Sequence, residues 1–210
     1  MTMPTERVRF TNRDGVELAA VVERPSGASA GAWALFAHCF TCSKDLRAAR
    51  TISQALAAQG FSVMRFDFTG LGESEGDFSE SNFSSNVSDL VDAARYLEEN
   101  EAAPSVLAGH SLGGAAVLKA AGEIPSAKAV ATIAAPAEPE HVTKLLRSSR
   151  EEIERSGEAE VELAGRRFCF KRQFLDDIQS ASMEEAIASL RRALLIFHSP
   201  VDEIVGVSNA

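Results

Sequence analysis

The segment Ala108-Gly109-His110-Ser111-Leu112-Gly113-Gly114 decides the fold of this chain. It contains the pattern G-x-S-x-G, follows an apolar strand predicted over residues 105–108, and opens a helix rich in Ala and Leu that is predicted to reach residue 123. This succession of strand, sharp turn and helix is what a nucleophile elbow requires. Side chains at Gly109 and Gly113 would collide with the neighbouring strand and helix. The pattern therefore predicts that Ser111 is an activated nucleophile beside a helix N-terminus, where the helix dipole favours a developing oxyanion.

Strands and helices alternate on both sides of this turn. Two alternating segments around Asp14-Gly15 predict an antiparallel hairpin. Further strands are predicted over 33–37, 61–68, 129–135 and 193–197, and helices from a cap at Ser43 to residue 59 and over about 86–100. The alternation predicts an α/β fold with a mostly parallel sheet and helices on both faces.

The segment 137–190 interrupts this rhythm. It predicts a charged helix over 144–155, a hairpin that pairs 160–163 with 167–171, and a helix over 183–191. An insertion of this length in a regular α/β pattern is typical of a lid over a site, and the alternative is a surface excursion without catalytic duty. We expect residues 1–210 to form one domain that carries this insertion.

The amino-acid composition excludes several classes of function. The chain has 210 residues, of which 45% are hydrophobic and 24% charged, and its formal net charge is -9. An acidic chain repels nucleic acid, and no apolar run is long enough to span a membrane. The polar start of the chain, over residues 1–10, predicts that no secretory signal peptide is present. These features predict a cytoplasmic protein that acts on a small molecule, with neither nucleic acid nor membrane as partner.

Three cysteines, Cys39, Cys42 and Cys169, make an odd count, which predicts reduced thiols. A zinc site would need four ligands, and no second pair with metal-ligand spacing completes one. We therefore predict neither a metal nor a cofactor. Cys39 and Cys42 form a C-x-x-C pair, for which loop packing is the simpler interpretation and thiol redox chemistry is the alternative.

A second glycine-rich turn follows the strand predicted over 61–68. Its sequence, Phe66-Asp67-Phe68-Thr69-Gly70-Leu71-Gly72-Glu73-Ser74, resembles the D-x-x-G-x-G-x-S turn of α/β-hydrolases. Asp67 is a rival for the catalytic carboxylate. We predict instead that it braces the loop by accepting backbone hydrogen bonds, because the acid of such enzymes follows the nucleophile in the chain. Two further carboxylates in the insertion, Asp176 and Asp177, are expected on a solvated face.

The loop after the first parallel strand, Ala37-His38-Cys39-Phe40-Thr41-Cys42-Ser43, resembles the His-Gly-Phe loop that supplies half of an oxyanion hole. The predicted donors are the backbone N–H groups of Phe40 and Leu112. We expect His38 to order this backbone, with proton acceptance as the alternative role.

The acid is predicted at Asp202, in a loop after the strand over 193–197. A catalytic histidine should follow it, but the eight residues from Glu203 to Ala210 include none. Either a C-terminal part with the last strand, closing helix and histidine is missing, or the base is unusual. His110 is expected to point away from substrate, and His141 to lie on the surface.

The chain as a whole, over residues 7–209, resembles the α/β-hydrolase domain of bacterial proteins in which a C-terminal OsmC-like domain follows the hydrolase. The stretch Ala37-His-Cys-Phe-Thr-Cys42 is its most distinctive part. The resemblance implies the α/β-hydrolase fold, an OsmC-like domain as a partner, and a serine hydrolase of esterase or acylaminopeptidase-like type. Two alternatives stay open: a non-catalytic module with an incomplete triad, and a thiol redox role for Cys39 and Cys42.

Overall fold

The computed structural model describes residues 5–27 and 29–210. The first four residues of the polar start and Ala28, in the loop predicted between the first hairpin and the next strand, lie outside the described residues. None of the helices in the described ranges is long and apolar enough to cross a membrane.

A seven-stranded sheet forms the centre of the molecule. Its strands are β1 (Thr5–Thr11), β2 (Glu17–Glu23), β3 (Trp33–Ala37), β4 (Ser62–Phe66), β5 (Val106–His110), β6 (Ala129–Ile133) and β9 (Ala193–Phe197), and the two intervening strands belong to the insertion. They are ordered β1-β2-β4-β3-β5-β6-β9. The hairpin β1–β2 is antiparallel, β2 joins β4 antiparallel, and the remaining neighbours are parallel. The predicted mostly parallel sheet with an N-terminal hairpin is confirmed.

Helices cover both faces of the sheet. The helices are α1 (Arg47–Ala58), α2 (Phe83–Asn100) and α3 (Leu112–Ala120), to which the insertion adds α4 (Arg150–Ser156), α5 (Arg172–Ser180) and α6 (Glu184–Ala188). Successive side chains of a strand point to opposite faces. Leu35 accordingly packs with α2 and α3, whereas the next residue, Phe36, packs against Ala49 of α1.

The segment between β6 and β9 folds as a compact insertion. A 3₁₀ segment (Pro139–Leu146) precedes α4, and the hairpin of β7 (Glu158–Leu163) and β8 (Arg166–Lys171) follows it. The predicted hairpin is confirmed, but the predicted continuous helix over 144–155 is wrong. Pro139 at the first turn starts an earlier 3₁₀ segment, and residues 147–149 separate that segment from α4.

Helix α1 starts later than the sequence predicts. Ser43 does not cap it; the helix begins at Arg47, and the backbone N–H of Leu46 donates to the Ser43 carbonyl in a preceding turn. The intervening Lys44 is drawn into the interior, where its side chain is 1% exposed. The burial of Lys44 overrides the local preference of Ser43 to cap the helix.

Strand β9 lies at the end of the sheet, with its apolar side chains exposed, Leu195 by 54% and Phe197 by 53%. Beside it lies an apolar concavity of about 710 Å³ against α1. The carboxyl ends of β3, β5, β6 and β9 share one edge of the sheet, because these strands are parallel. The loops that carry the candidate site all leave from this edge.

Candidate active site

Ser111 occupies the sharp turn between β5 and α3. Its φ of 54° and ψ of -127° put a non-glycine residue in a sparsely populated backbone region, which costs on the order of 1–3 kcal/mol. The turn is held from both sides: the Ser111 N–H donates to the Ile133 carbonyl at 2.8 Å, and the Ser111 carbonyl accepts from Gly114 N at 2.8 Å. The structure therefore stabilises a strained serine at the start of a helix.

The glycines around Ser111 have no room for a side chain. A Cβ at Gly109 would lie 2.2 Å from the carbonyl oxygen of Gly113, and one at Gly113 would lie 2.2 Å from that of His38. These contacts are with backbone, which cannot rotate away. Close packing of β5, α3 and the loop after β3 thus requires glycine at both positions.

Ser111 lines a cavity of about 470 Å³, together with both predicted oxyanion donors and the predicted acid. Phe40, Leu112 and Asp202 are among its lining residues. The insertion contributes Val142 and Leu145. Residues from four separate segments of the chain therefore meet around the serine.

The Phe40 side chain joins the loop after β3 to the insertion. Its ring lies 5.5 Å from that of Phe174 in α5 and 5.7 Å from that of Phe170 in β8. Arg166, the first residue of β8, donates to the Thr41 carbonyl at 3.4 Å. Aromatic pairs at these spacings are favourable beyond their buried area. The insertion consequently fixes the loop on which the predicted donor Phe40 lies.

Cys39 and Cys42 form a disulfide, so the prediction that they are reduced thiols is wrong for this pair. Their Cα atoms lie 5.3 Å apart, because the turn of the loop brings residues three positions apart into bonding range. An odd cysteine count cannot exclude one local pair. Cys169 keeps a free thiol, and burial raises its pKa.

Asp67 is fully buried and braces two loops, in agreement with its predicted role in the turn. One carboxylate oxygen accepts from Lys44 N at 2.5 Å, and the other accepts from Lys44 Nζ at 2.8 Å and from Glu73 N at 2.9 Å. Burial lowers the pKa of Lys44, but its hydrogen bonds to Asp67 and Glu73 outweigh this and leave the pKa raised. Lys44 is a site-supporting residue that sequence reasoning missed, since lysine is almost never fully buried.

His38 lies beneath the loop, away from the cavity that holds Ser111. Its ring is 1% exposed, Nδ1 is 2.8 Å from the Cys39 carbonyl oxygen, and Nε2 is 3.8 Å from Asp67. The carbonyl can only accept, so Nδ1 carries the hydrogen. Burial lowers the pKa of His38, which keeps the ring neutral near pH 7. This placement fits the predicted role of ordering backbone and not that of a proton acceptor.

Acid is expected to destabilise the fold through the histidines around the site. Burial lowers the pKa of both His38 and His110 below the ordinary value of 6.5. Below about pH 6.5 the unfolded chain therefore binds more protons than the folded one, and stability falls as pH falls, by at most about 1.4 kcal/mol per pH unit for each histidine. Urea unfolding at pH 7.0 and 5.5 measures this slope. The variant His38→Gln should lose less stability between pH 7.0 and pH 5.5. An equal loss in both proteins would contradict the lowered pKa of His38.

Asp202 shapes its own loop after β9. One oxygen of its carboxylate accepts from the backbone N–H groups of Ile204 and Val205, both at 2.9 Å. These two hydrogen bonds, that from Val205 first, lower the pKa of Asp202 and keep it ionised at neutral pH. Its second oxygen makes no hydrogen bond with the described residues.

Two histidines lie closer to the cavity than the sequence predicts. His110 was expected to point away from substrate and His141 to lie on the surface, yet both line the cavity. His141 Nε2 donates to the Ile204 carbonyl at 2.5 Å, and its Nδ1 lies 3.1 Å from Lys144 Nζ. His141 thus ties the first segment of the insertion to the acid loop. Only the fold of the insertion brings His141 to Ile204.

Another prediction needs correction within the insertion. Asp177 was expected on a solvated face, but its carboxylate accepts from the backbone N–H of Ser84 at 3.0 Å, in the first turn of α2. Nearby, Gln173 accepts from the Asn82 side chain at 2.6 Å. An acidic side chain at a helix N-terminus satisfies a free N–H and the helix dipole. These contacts fasten α5 to α2.

Comparison with known proteins assigns the fold to a family. The family described as serine aminopeptidase, S33 (Hydrolase_4), matches residues 42–156, more than half of the chain. The chain belongs to this family. Its sheet and helices are those of the α/β-hydrolase superfamily.

Individual relatives agree with this assignment. The chain is 47% identical to the esterase domain of a Rhodothermus marinus protein, with a TM-score of 0.76 over 99% of this chain and 81% of that one. Est1E from Butyrivibrio proteoclasticus, solved with ferulic acid, shares the fold at 22% identity, with a TM-score of 0.76 over 96% of this chain and 82% of that one. The uncharacterized protein YfhR of Escherichia coli O157:H7 is 27% identical over 119 residues, which are 56% of this chain and 42% of that protein. The chain thus matches less than half the length of this curated relative.

Proposed function

We propose that this hydrolase cleaves carboxylic esters through an acyl-enzyme on Ser111. The observation that carries the proposal is the strained Ser111 at the head of α3, inside a cavity that it shares with Phe40, Leu112 and Asp202. A strained serine at a strand-to-helix turn is the mark of a nucleophile elbow. The strained backbone that presents this hydroxyl lowers the stability of the fold, which supports a catalytic role for the hydroxyl.

The proposed reaction has two halves. Ser111 Oγ attacks the ester carbonyl carbon and gives its proton to a base, while the carbonyl oxygen becomes an oxyanion that accepts from the N–H groups of Phe40 and Leu112. Collapse of the tetrahedral intermediate breaks the bond between the acyl carbon and the alcohol oxygen. The alcohol leaves with the proton from the base, and the acyl group stays on Ser111. Water then attacks the acyl-enzyme by the reverse sequence and releases the acid.

Asp202 is the proposed acid that orients the base and stabilises its positive charge. Its carboxylate is ionised and keeps one oxygen free of hydrogen bonds to the described residues. Among those residues, no histidine nitrogen hydrogen-bonds to Asp202 or to Ser111.

An ester with an apolar acyl group suits the cavity best. Apolar side chains form much of its wall, and polar side chains that include Ser111 and Asp202 form the rest. The similarity to the Rhodothermus marinus esterase domain, at 47% identity, favours an ester over a peptide. Parallel assays with p-nitrophenyl butyrate and with an aminoacyl p-nitroanilide separate the two. Faster turnover of the anilide would assign an aminopeptidase instead.

We propose that the insertion, residues 137–190, acts as a lid over this cavity. It supplies Val142 and Leu145 to the wall and holds the Phe40 ring between α5 and β8. Removing these side chains would open the acyl site to water.

Asp202→Asn tests the role of the acid in the full-length protein. The asparagine oxygen can still accept from Ile204 and Val205, so the loop is retained while the charge is lost. We expect kcat for p-nitrophenyl butyrate to fall by about 10²–10⁴-fold with little change in KM. The control is Asp176→Asn, which removes an exposed carboxylate of the insertion and should leave kcat unchanged. Equal kcat in the two variants would remove Asp202 from the mechanism.

A further inference from the structure

The loop that carries Phe40 is anchored at both ends. At one end, His38 is buried and its ring hydrogen-bonds to the Cys39 carbonyl. At the other, Lys44 is buried and bound to Asp67 through both its backbone N and its ammonium group. The residues between these anchors are half-buried, and they are held both by the insertion and by contacts inside the loop.

Two contacts inside the loop close its centre, in addition to those that the insertion makes with Phe40 and Thr41. Cys42 N donates to the Cys39 carbonyl at 3.1 Å, and the Cys39–Cys42 disulfide closes the same turn. Thr41, enclosed by them, has a φ of 59°, which is a genuine outlier for a β-branched residue. A strained residue persists only where its surroundings over-determine it. The covalent bond therefore restrains Thr41 together with the hydrogen bond that Arg166 donates to the Thr41 carbonyl.

The same turn faces the proposed reaction. Cys39 and Phe40 both line the cavity that holds Ser111, and the backbone N–H of Phe40, between the two sulfurs in sequence, is the proposed oxyanion donor. Both cysteines are half-buried and not enclosed in the core. A small thiol that enters the cavity can therefore reach the bond.

We propose that Cys39 and Cys42 form a redox site that sets the geometry of the oxyanion loop. This inference rests on the proposed function of Ser111. In the oxidised form the turn is closed and Phe40 N–H points at the reacting carbonyl. In the reduced form Thr41 relaxes, the donor is positioned only part of the time, and turnover falls.

The reductant is a dithiol. One of its thiolates attacks a sulfur of the Cys39–Cys42 bond, that bond breaks, and a mixed disulfide forms. The second thiolate of the reductant then displaces the protein sulfur and closes its own disulfide. Two electrons pass from the dithiol to the pair, and Cys39 and Cys42 each end as a thiol after taking up a proton.

The test uses the full-length protein equilibrated in mixtures of reduced and oxidised dithiothreitol. Alkylation and mass spectrometry give the fraction of Cys39 and Cys42 that is reduced, and a fluorophosphonate probe gives the labelling rate of Ser111. Complete loss of an oxyanion donor costs about 10²–10³-fold. A donor that is merely mobile should cost less, so we expect labelling to slow about 10-fold along the same titration curve as the thiols.

Two variants separate the effect of the Cys39–Cys42 pair from that of Cys169. Cys169→Ser should keep the full response, and Cys39→Ser/Cys42→Ser should label slowly with or without reductant while thermal unfolding shows it folded. Equal labelling rates across a titration in which the pair becomes reduced would overturn the inference and leave the proposed function standing. An absence of labelling in every mixture would overturn the proposed function and this inference with it.

Discussion

Ser111→Ala is expected to lower kcat for p-nitrophenyl butyrate by a factor on the order of 10³–10⁶. Loss of the nucleophile removes the covalent route, and the oxyanion donors and the binding cavity alone leave a residual enhancement on the order of 10³ over water. The fold should tolerate the change, because the hydrogen bonds that hold this turn come from the Ser111 backbone. Steady-state kinetics in the full-length protein, with circular dichroism to verify folding, measure the effect.

Ser208→Ala is the matched control, since Ser208 is an exposed serine near the C-terminal end of the chain. It should keep both the ester turnover and the fluorophosphonate labelling of the unmodified protein. Retention of more than about a tenth of the turnover in Ser111→Ala would place the nucleophile elsewhere.

Asp67→Asn is expected to have the largest effect on stability. The substitution removes the fully buried carboxylate from the Lys44 ammonium and leaves it with Glu73 and Asp45, whose side chains are about half exposed. Breaking a buried ion pair costs about 3–5 kcal/mol. For a chain of this size, Tm should fall by roughly 6–20 °C. The asparagine oxygen can still accept from Lys44 N, so the loss reports mainly on the charge. Thermal unfolding followed by circular dichroism measures it.

Two further variants separate this effect from a general one. Arg150→Ala breaks an exposed ion pair with Glu154, and such a pair contributes under about 1 kcal/mol. Lys44→Met/Asp67→Asn removes both charges, and it should be more stable than Asp67→Asn because no charge is left buried without its partner. A Tm in Asp67→Asn within about 2 °C of the Arg150→Ala value would contradict the role given to this pair.

Local sequence patterns predicted most of the fold. Strand β9 was predicted with its observed bounds, and the turn at Ser111 was predicted from a glycine pattern between a strand and a helix, because short-range sterics decide both. Helix α2 begins at Phe83, three residues earlier than predicted. Its signal was readable, since Asn82 and Ser85 form a capping box.

What the sequence did not reveal depends on contacts between distant segments. His141 reaches the cavity because the insertion folds back on the acid loop, to Ile204. Lys44 is buried because Asp67, on another loop, neutralises it. The Cys39–Cys42 disulfide depends on the conformation of the turn, whereas the cysteine count suggested free thiols. No periodicity encodes such pairings.

Trapping the acyl-enzyme tests the central claim most directly. The full-length protein is mixed with p-nitrophenyl butyrate, quenched in acid within the first turnovers, digested and analysed by mass spectrometry. The account predicts a burst of p-nitrophenol near one equivalent per active site and a butyryl group on the peptide that contains Ser111, absent in Ser111→Ala. A butyryl group on Cys39, or hydrolysis with no acylated peptide at Ser111, would contradict it.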